Sequence, residues 1–143
     1  EESNAIIGNF MKGFVLTDAI KEKINKTQEL LREMIQKENI MALDKNSAER
    51  YIKEQQKKLE YIELIVIIDN RGYITGATTE LPEFVKDCSS KPYFTNAMKG
   101  NTYVSKEYIS CASGNYNISV STPIIVNGEL KGVINADINI NEN

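Results

Sequence analysis

The amino-acid sequence predicts an α+β fold in which helices on the N-terminal side precede an antiparallel sheet. The first 60 residues carry apolar side chains at helical spacing, whereas the remainder is dominated by short alternating segments separated by turns. Helical and strand segments that are grouped, rather than interleaved, favour an antiparallel sheet. We therefore expect a helical segment at 1–60 and a sheet module at 61–143 that together form one domain.

The longest helical pattern runs from residue 4 to about residue 41. A helix of about 38 residues would span roughly 57 Å, which exceeds the diameter expected of such a small globule, so one end would project or meet a second chain. Two interpretations are open: a core helix, and a helix that continues from a membrane span and pairs in a dimer. Its apolar stripe comprises Phe10, Phe14, Thr17, Ile24, Thr27, Leu31 and Met34.

Shorter elements follow in order. A second helix is predicted from Ser47 to about Leu59, with Asn46 or Ser47 as its N-cap. The β-branched run at 62–68 is typical of a central strand, and 73–77 is predicted to pair back on it. Pro92 suits the first turn of a short helix from Tyr93 to Lys99, with Gly100 as its C-terminal cap. Short strands are predicted at 103–104 and 108–111.

The stretch 117–140 predicts a β-hairpin with two different faces. Its Asn127-Gly128 pair tolerates the positive φ angles of a tight turn. A plain two-residue turn would place Val120 beside Asn135 and mix the faces, whereas one extra residue in the loop places Val120 beside Ala136. We therefore predict a three-residue connection. The polar face, either solvated or the floor of a ligand pocket, would carry Asn117, Ser119, Ser121, Asn135, Asp137 and Asn139.

Composition excludes several functions. The net charge of −3 and the pI near 5.1 argue against nucleic acid as the main partner. The absence of histidine removes the commonest general base and metal ligand, and no P-loop or G-x-S-x-G motif is present. We predict no enzyme activity, metal or cofactor. No run approaches the ~20 apolar residues of a membrane helix, and the abrupt ends of the chain suggest an excised domain.

Several short motifs follow one another in order between residues 61 and 140. They are Asp69 to Gly72, Lys91 to Gly100, Tyr103-Val104-Ser105, Tyr108-Ile109-Ser110, Ser113-Gly114, Ser119 to Ile124, Asn127-Gly128 and Gly132 to Ile138. This order resembles the Cache family, the PAS-like extracytoplasmic sensor domains of bacterial chemoreceptors, sensor histidine kinases and diguanylate cyclases. The resemblance implies a PAS-like sheet of five or six antiparallel strands. It also implies a long helix on one face and a small-molecule pocket on the other, under residues 91–94.

The resemblance also implies roles for individual residues. Lys91 and Tyr93 stand where the family often places an arginine and an aromatic residue that hold the ligand's carboxylate. Tyr108 matches an aromatic position, and Asp137 matches the acidic residue that takes the ammonium group in amino-acid-binding members. Lysine keeps the charge but loses the bidentate fork of arginine. Ser110 replaces a frequent acidic residue, which weakens the amino-acid interpretation.

The candidate ligand-binding residues are thus Lys91, Tyr93, Tyr108, Ser110, Ser119, Ser121, Asn135 and Asp137. In the alternative interpretation the strand tyrosines only pack, Lys91 is solvated, and Asp137 caps a nearby backbone turn. The predicted function is an extracytoplasmic sensor domain of a membrane receptor that binds a small carboxylate or amino acid. It would signal across the membrane through flanking segments, with a possible homodimer through the first helix. The alternative is a structural or dimerisation module without a ligand.

The two cysteines, Cys88 and Cys111, allow two hypotheses. The family's layout brings the two positions close, so a disulfide bridge is one of them. It would close a loop of about 24 residues and contribute on the order of 3 kcal/mol in the chain-entropy account. The other hypothesis is a pair of free thiols.

Overall fold

The computed structural model describes residues 16–110 and 113–141. Helix α1 covers Asp18–Lys37 and helix α2 covers Lys45–Gln56, with a 3₁₀-helix at Ile40–Ala42 between them. Strands β1 (Ile62–Asp69) and β2 (Ile74–Ala77) follow. The later elements are 3₁₀-helix Glu83–Val85, helix α3 (Pro92–Thr95), 3₁₀-helix Ala97–Lys99, and strands β3 (Tyr103–Val104), β4 (Tyr108–Ile109), β5 (Tyr116–Val126) and β6 (Glu129–Asn139).

The strands form one six-stranded antiparallel sheet, which confirms the predicted α+β class. Its order is β2-β1-β6-β5-β3, and β4 also pairs with β5. Both short strands therefore lie along the same edge of β5. This pairing places the loop between β3 and β4 over the sheet face that carries the polar residues of the hairpin.

The predicted hairpin register is confirmed. Val120 lies opposite Ala136, and Ile118 lies opposite Ile138. The apolar residues of the two long strands therefore share one face, because side chains alternate between the faces of a strand. The polar set from Asn117 to Asn139 shares the other face.

The predicted three-residue connection is wrong. Asn127 and Gly128 form a two-residue turn with φ angles of 52° and 79°. The register changes between Ile124 and Ile125 instead, where Lys131 is the extra residue on β6. A bulge within a strand shifts the register as a longer loop does, so the alternation of residues could not tell the two apart.

Helix α1 is shorter than predicted. Thr17 precedes its first turn in extended conformation, and its Oγ1 accepts a hydrogen bond from the Ile20 amide at 3.2 Å. The hydroxyl that the pattern assigned to the apolar stripe therefore caps the helix. The helix ends at Lys37 rather than near residue 41. Residues 4–15 of the predicted helix lie outside the described residues. No helix in the described residues is long and apolar enough to span a membrane.

Helix α2 also begins earlier than predicted. Its N-cap is Asp44, whose Oδ1 accepts from the Ser47 amide at 2.8 Å and whose Oδ2 accepts from the Ser47 hydroxyl at 3.1 Å. These hydrogen bonds hold the pKa of Asp44 below its usual value. Asn46 and Ser47 therefore lie inside the helix. The helix ends at Gln56, short of the predicted Leu59.

The sheet has a different core on each face. The face toward α1 and α2 packs the larger cluster, in which the buried strand residues include Ile65, Ile67, Ile118, Val120, Ile134, Ala136 and Ile138. The opposite face packs a smaller cluster under the loops, with Val66, Ile68, Ile74, Ala77, Cys88, Phe94, Ala97 and Val133. The helices thus stabilise the sheet from one side and leave the polar residues of the hairpin on the other.

Lys23 attaches α1 to the end of β6. Its ammonium donates to the Asn139 carbonyl at 2.9 Å and lies 5.4 Å from the centre of the Tyr61 ring. We expect Lys23→Ala to lower the free energy of unfolding by about 1–2 kcal/mol, because a charged hydrogen bond and a cation–π contact are lost together. Lys26→Ala is the control, since its exposed ion pair with Glu22 contributes under about 0.5 kcal/mol. Urea unfolding of both variants measures the difference, and equal losses would contradict this role for Lys23.

Candidate functional site

A cavity of about 700 Å³ lies on the sheet face opposite the two long helices. Strands β1 and β2 and the loop after them supply an apolar wall, which comprises Leu64, Val66, Ile74, Leu81 and Val85. Strands β4, β5 and β6 and the loop before β4 supply a polar wall, which comprises Ser105, Lys106, Glu107, Tyr108, Ser119, Asn135 and Asp137. Lys91, Pro92, Tyr93 and Tyr103 complete the lining. The cavity thus combines an apolar side with a charged one.

The floor of the polar wall is a hydrogen-bonded group on the β5–β6 hairpin. Ser119 Oγ donates to Asp137 Oδ1 at 2.8 Å, and Asn135 Nδ2 donates to the same oxygen at 3.1 Å. Ser121 Oγ in turn donates to Asn135 Oδ1 at 2.7 Å, which fixes the orientation of that amide. Because Ser119 lies opposite Asp137 and Ser121 opposite Asn135 in the ladder, the register alone brings these four side chains together.

Tyr108 extends this group from the neighbouring strand β4. Its hydroxyl lies 3.2 Å from Ser119 Oγ. Since the single proton of Ser119 is given to Asp137, the Tyr108 hydroxyl is the donor in this contact. Burial and the nearby charge of Asp137 raise the pKa of Tyr108. The phenol is therefore protonated. Its hydroxyl donates to Ser119, which in turn donates to Asp137.

Asp137 is an acidic group in a setting that opposes its charge. Burial raises the pKa of this carboxyl, hydrogen bonds from Ser119, Tyr108 and Asn135 lower it, and the nearby charge of Glu63 raises it again, with a net upward shift. Ser119 and Asn135 both donate to Oδ1, and a carboxylate accepts about four hydrogen bonds, so Asp137 has room for a donor from a ligand. The side chain is half-buried and reaches the cavity. A ligand cation would stabilise the ionised form.

The loop that carries Lys91 and Tyr93 is tied to the sheet. The Ile74 amide donates to the Lys86 carbonyl at 2.8 Å, and the Cys88 amide donates to the Gly72 carbonyl at 2.7 Å. Lys91 lies at the N-cap of α3 with an exposed side chain at the cavity rim. This loop therefore presents a wall tied to the sheet, with an exposed positive charge at its edge.

Cys88 is a free, fully buried thiol that accepts a hydrogen bond from the Tyr93 hydroxyl at 3.1 Å. The state of Cys88 agrees with the hypothesis of free thiols, whereas the bridge hypothesis also depends on the second cysteine. Cys111 lies outside the described residues. The Tyr93 hydroxyl is thus committed to the protein, so its ring is the part that faces the cavity.

Six of the eight predicted site residues line the cavity, namely Lys91, Tyr93, Tyr108, Ser119, Asn135 and Asp137. Ser121 lies behind the floor, fully buried, and orients Asn135. Ser110, one residue after β4, is not part of the lining. Asp137 does not cap a backbone turn, because its partners are side chains.

The sequence analysis missed the apolar wall and two adjacent charged residues of the polar wall, Lys106 and Glu107. A signal for part of the wall was present, because Leu64 and Val66 alternate with the residues of β1 that pack under the helices. No local signal identified Lys106 and Glu107, since their place depends on both short strands pairing with β5. In the described residues, no group of three acidic or cysteine side chains could hold a metal ion.

Comparisons with known protein families and solved structures agree with the fold described above. Residues 15–142 match the Cache domain. The chain therefore belongs to the Cache domain family, and the observed fold agrees with this assignment. No curated protein sequence matches the chain.

Solved structures show the same fold at low identity. The ligand-binding domain of the Campylobacter jejuni chemoreceptor Tlp3 in complex with L-valine has a TM-score of 0.69 and 18% identity, over 84% of this chain and 54% of that chain. The ligand-binding domain of the Pseudomonas aeruginosa amino acid chemoreceptor PctC, in complex with GABA, has a TM-score of 0.68 and 16% identity, over 85% and 55%. The chain spans about half the length of these structures.

Proposed function

We propose that this chain is a ligand-binding sensor domain of a membrane receptor and that its ligand is a free amino acid with an apolar side chain. The observation that carries the proposal is the cavity itself, where the ionisable carboxyl of Asp137 faces an apolar wall across about 700 Å³. This volume lies within the range of roughly 300–1,000 Å³ that is common for small-molecule sites. Membership in a family of sensor domains and the chemoreceptor folds support the same role.

Each part of an amino acid has a counterpart in the cavity. Asp137 is a half-buried carboxyl whose ionised form needs a cation, which an ammonium group provides. Lys91 at the rim supplies a positive charge for the carboxylate. Leu64, Val66 and Ile74 offer an apolar surface to the side chain. A simple carboxylate would leave Asp137 without a cation, so the amino acid fits better.

The domain acts by binding and not by chemistry in this proposal. We place it outside the cytoplasm, with flanking segments that cross the membrane and carry the signal to a chemoreceptor or histidine-kinase output. A homodimer through α1 remains a prediction. The described face of α1 away from the sheet is charged, with Lys21, Glu22, Lys26 and Glu29 exposed.

A calorimetric comparison of three related compounds tests the proposal. L-valine carries both charged groups, 3-methylbutanoate lacks the amine, and 2-methylpropan-1-amine lacks the carboxylate. We expect L-valine to bind most tightly and to raise the melting temperature, because a ligand of the folded state stabilises it. If none of the three binds and a wider amino-acid panel leaves the melt unchanged, the chain is a structural module without a ligand.

Lys91→Ala is expected to weaken L-valine binding by about 1.5 kcal/mol, roughly tenfold, the lower end for hydrogen bonds to charged groups because the side chain is exposed. Binding of 2-methylpropan-1-amine should be unchanged, since it has no carboxylate. The matched control is Lys99→Ala, an exposed lysine at the end of the next helical turn that does not line the cavity. Equal affinity of the Lys91 variant and wild type for L-valine would place the carboxylate elsewhere.

A further inference from the structure

Glu63 is a charged residue within the apolar run of β1, and a bulge determines its direction. Ile62 lies opposite Ile138 and Leu64 lies opposite Asp137, so Glu63 is the extra residue between two regular pairs. Ile62 packs with the helix-side core, whereas Leu64 lines the cavity. The bulge therefore turns Glu63 and Leu64 toward the same face of the sheet.

The Glu63 carboxylate accepts four side-chain hydrogen bonds. Oε1 accepts from Ser113 Oγ at 2.8 Å and from Asn117 Nδ2 at 3.1 Å. Oε2 accepts from Asn115 Nδ2 at 2.6 Å and from Asn139 Nδ2 at 3.2 Å. Burial opposes its ionisation, but these hydrogen bonds outweigh burial and hold the pKa of Glu63 below its usual value. All four donors are uncharged, and together they use the full accepting capacity of a carboxylate.

The four donors belong to the elements that build the polar wall. Asn117 lies directly opposite Tyr108 in the β4–β5 ladder. Asn139 follows Asp137 by two residues on β6 and therefore shares its face. Ser113 and Asn115 belong to the segment that joins β4 to β5. One carboxylate on β1 thus ties this segment to both strands of the hairpin.

We propose that Glu63 is a positioning residue of the ligand site, whose carboxylate holds segment 113–115 and Asn117 so that the Tyr108 hydroxyl stays directed at Ser119 and Asp137. This inference rests on the proposed function, in which Asp137 receives the ligand's ammonium group. β4 is only two residues long and pairs with one neighbour, so its own ladder holds Tyr108 weakly. The contacts of Glu63 supply the missing constraint.

Glu63→Gln tests this role with little change in shape. A glutamine offers one accepting oxygen in place of two, so two of the four donors lose their acceptor. We expect the Kd for L-valine to rise about tenfold, while the Kd for 3-methylbutanoate stays within about twofold, because only the amine depends on Asp137 and Tyr108. A general loosening of the fold would weaken both ligands equally. Glu60→Gln, at an exposed glutamate three residues away, is the matched control.

Hydrogen exchange of the ligand-free protein makes the test independent of the ligand. In Glu63→Gln we expect faster exchange in residues 108–110 and 113–117 and unchanged exchange in α1 and β2. Asn115→Ala, which removes one donor outside the cavity, should produce a smaller change in the same residues even if Glu63→Gln folds poorly. Unchanged exchange in both variants would overturn the positioning role. If the wild type binds no ligand while exchange changes as expected, the proposed function fails and the structural role of Glu63 stands.

Discussion

Replacing Asp137 by asparagine is expected to weaken L-valine binding by about 1.5–3 kcal/mol, the range for hydrogen bonds to charged groups. Asparagine keeps the shape and one accepting oxygen for Ser119, but it cannot compensate an ammonium charge. Binding of 3-methylbutanoate, which has no amine, should change by less than about twofold. The matched control is Asp87→Asn, an exposed aspartate outside the cavity lining. Calorimetry of both variants with both compounds measures the contrast.

In the ligand-free protein, Asp137→Asn is expected to raise the stability of the fold, although it weakens ligand binding. The folded-state pKa of Asp137 is raised above its usual value near 3.8, chiefly by burial, so its ionised form opposes folding above that pH. The variant should therefore gain stability relative to wild type as pH rises from about 4 through the raised pKa, and should lose that advantage in acid. Alanine is a poorer test, because it leaves the donors Ser119 and Asn135 without an acceptor.

Two results would contradict this account of Asp137. Full-strength binding of L-valine by the asparagine variant would show that the ammonium group is held elsewhere. A large loss of stability at neutral pH, with binding unchanged, would show that the carboxylate serves only to organise the hairpin. Thermal melts of the empty protein between about pH 4 and pH 8 distinguish these cases from the expected one.

Gly132→Ala is expected to lower the free energy of unfolding by about 2–3 kcal/mol, through steric overlap in the sheet. A Cβ atom at Gly132 would lie 2.3 Å from the Ile68 carbonyl oxygen and 3.3 Å from Met41 Cε. Gly132 lies between Ile124 and Asp69 in the ladders and directly follows the bulged residue Lys131. Because the close atom belongs to the backbone of β1, the strands themselves must separate to admit the methyl group.

Gly76→Ala is the matched control in the same sheet. Its added Cβ would meet only side chains, Ile67 Cδ1 at 3.4 Å and Glu49 Cγ at 3.6 Å, which are ordinary contact distances. A glycine in a strand loses more conformational freedom on folding than alanine, so this variant should be neutral or slightly stabilising. Urea unfolding of both variants measures the difference. Similar stability of the two would show that β6 can move away from β1 at little cost.

The polar floor of the site was predictable because its pattern is local. Alternation with a period of two residues assigned Ser119, Asn135 and Asp137 to one face, and the need to separate apolar from polar residues selected the register. The buried run of β1 and the short helix after Pro92 were predictable for the same reason, since each has a composition of its own. The position of the bulge was not predictable, because a bulge within the strand and a longer loop shift the strand register by the same amount.

The sequence by itself thus determined the α+β class, the two faces of the hairpin and most of the candidate site. Only the tertiary structure decided that Thr17 caps a helix, that Lys106 and Glu107 reach the cavity, and that Glu63 joins four side chains. These features depend on contacts between residues that are distant in the chain, such as Glu63 and Asn139. The periodicity of a strand indicates the face on which a residue lies. The pairing of strands decides which residues from other strands lie beside it on that face.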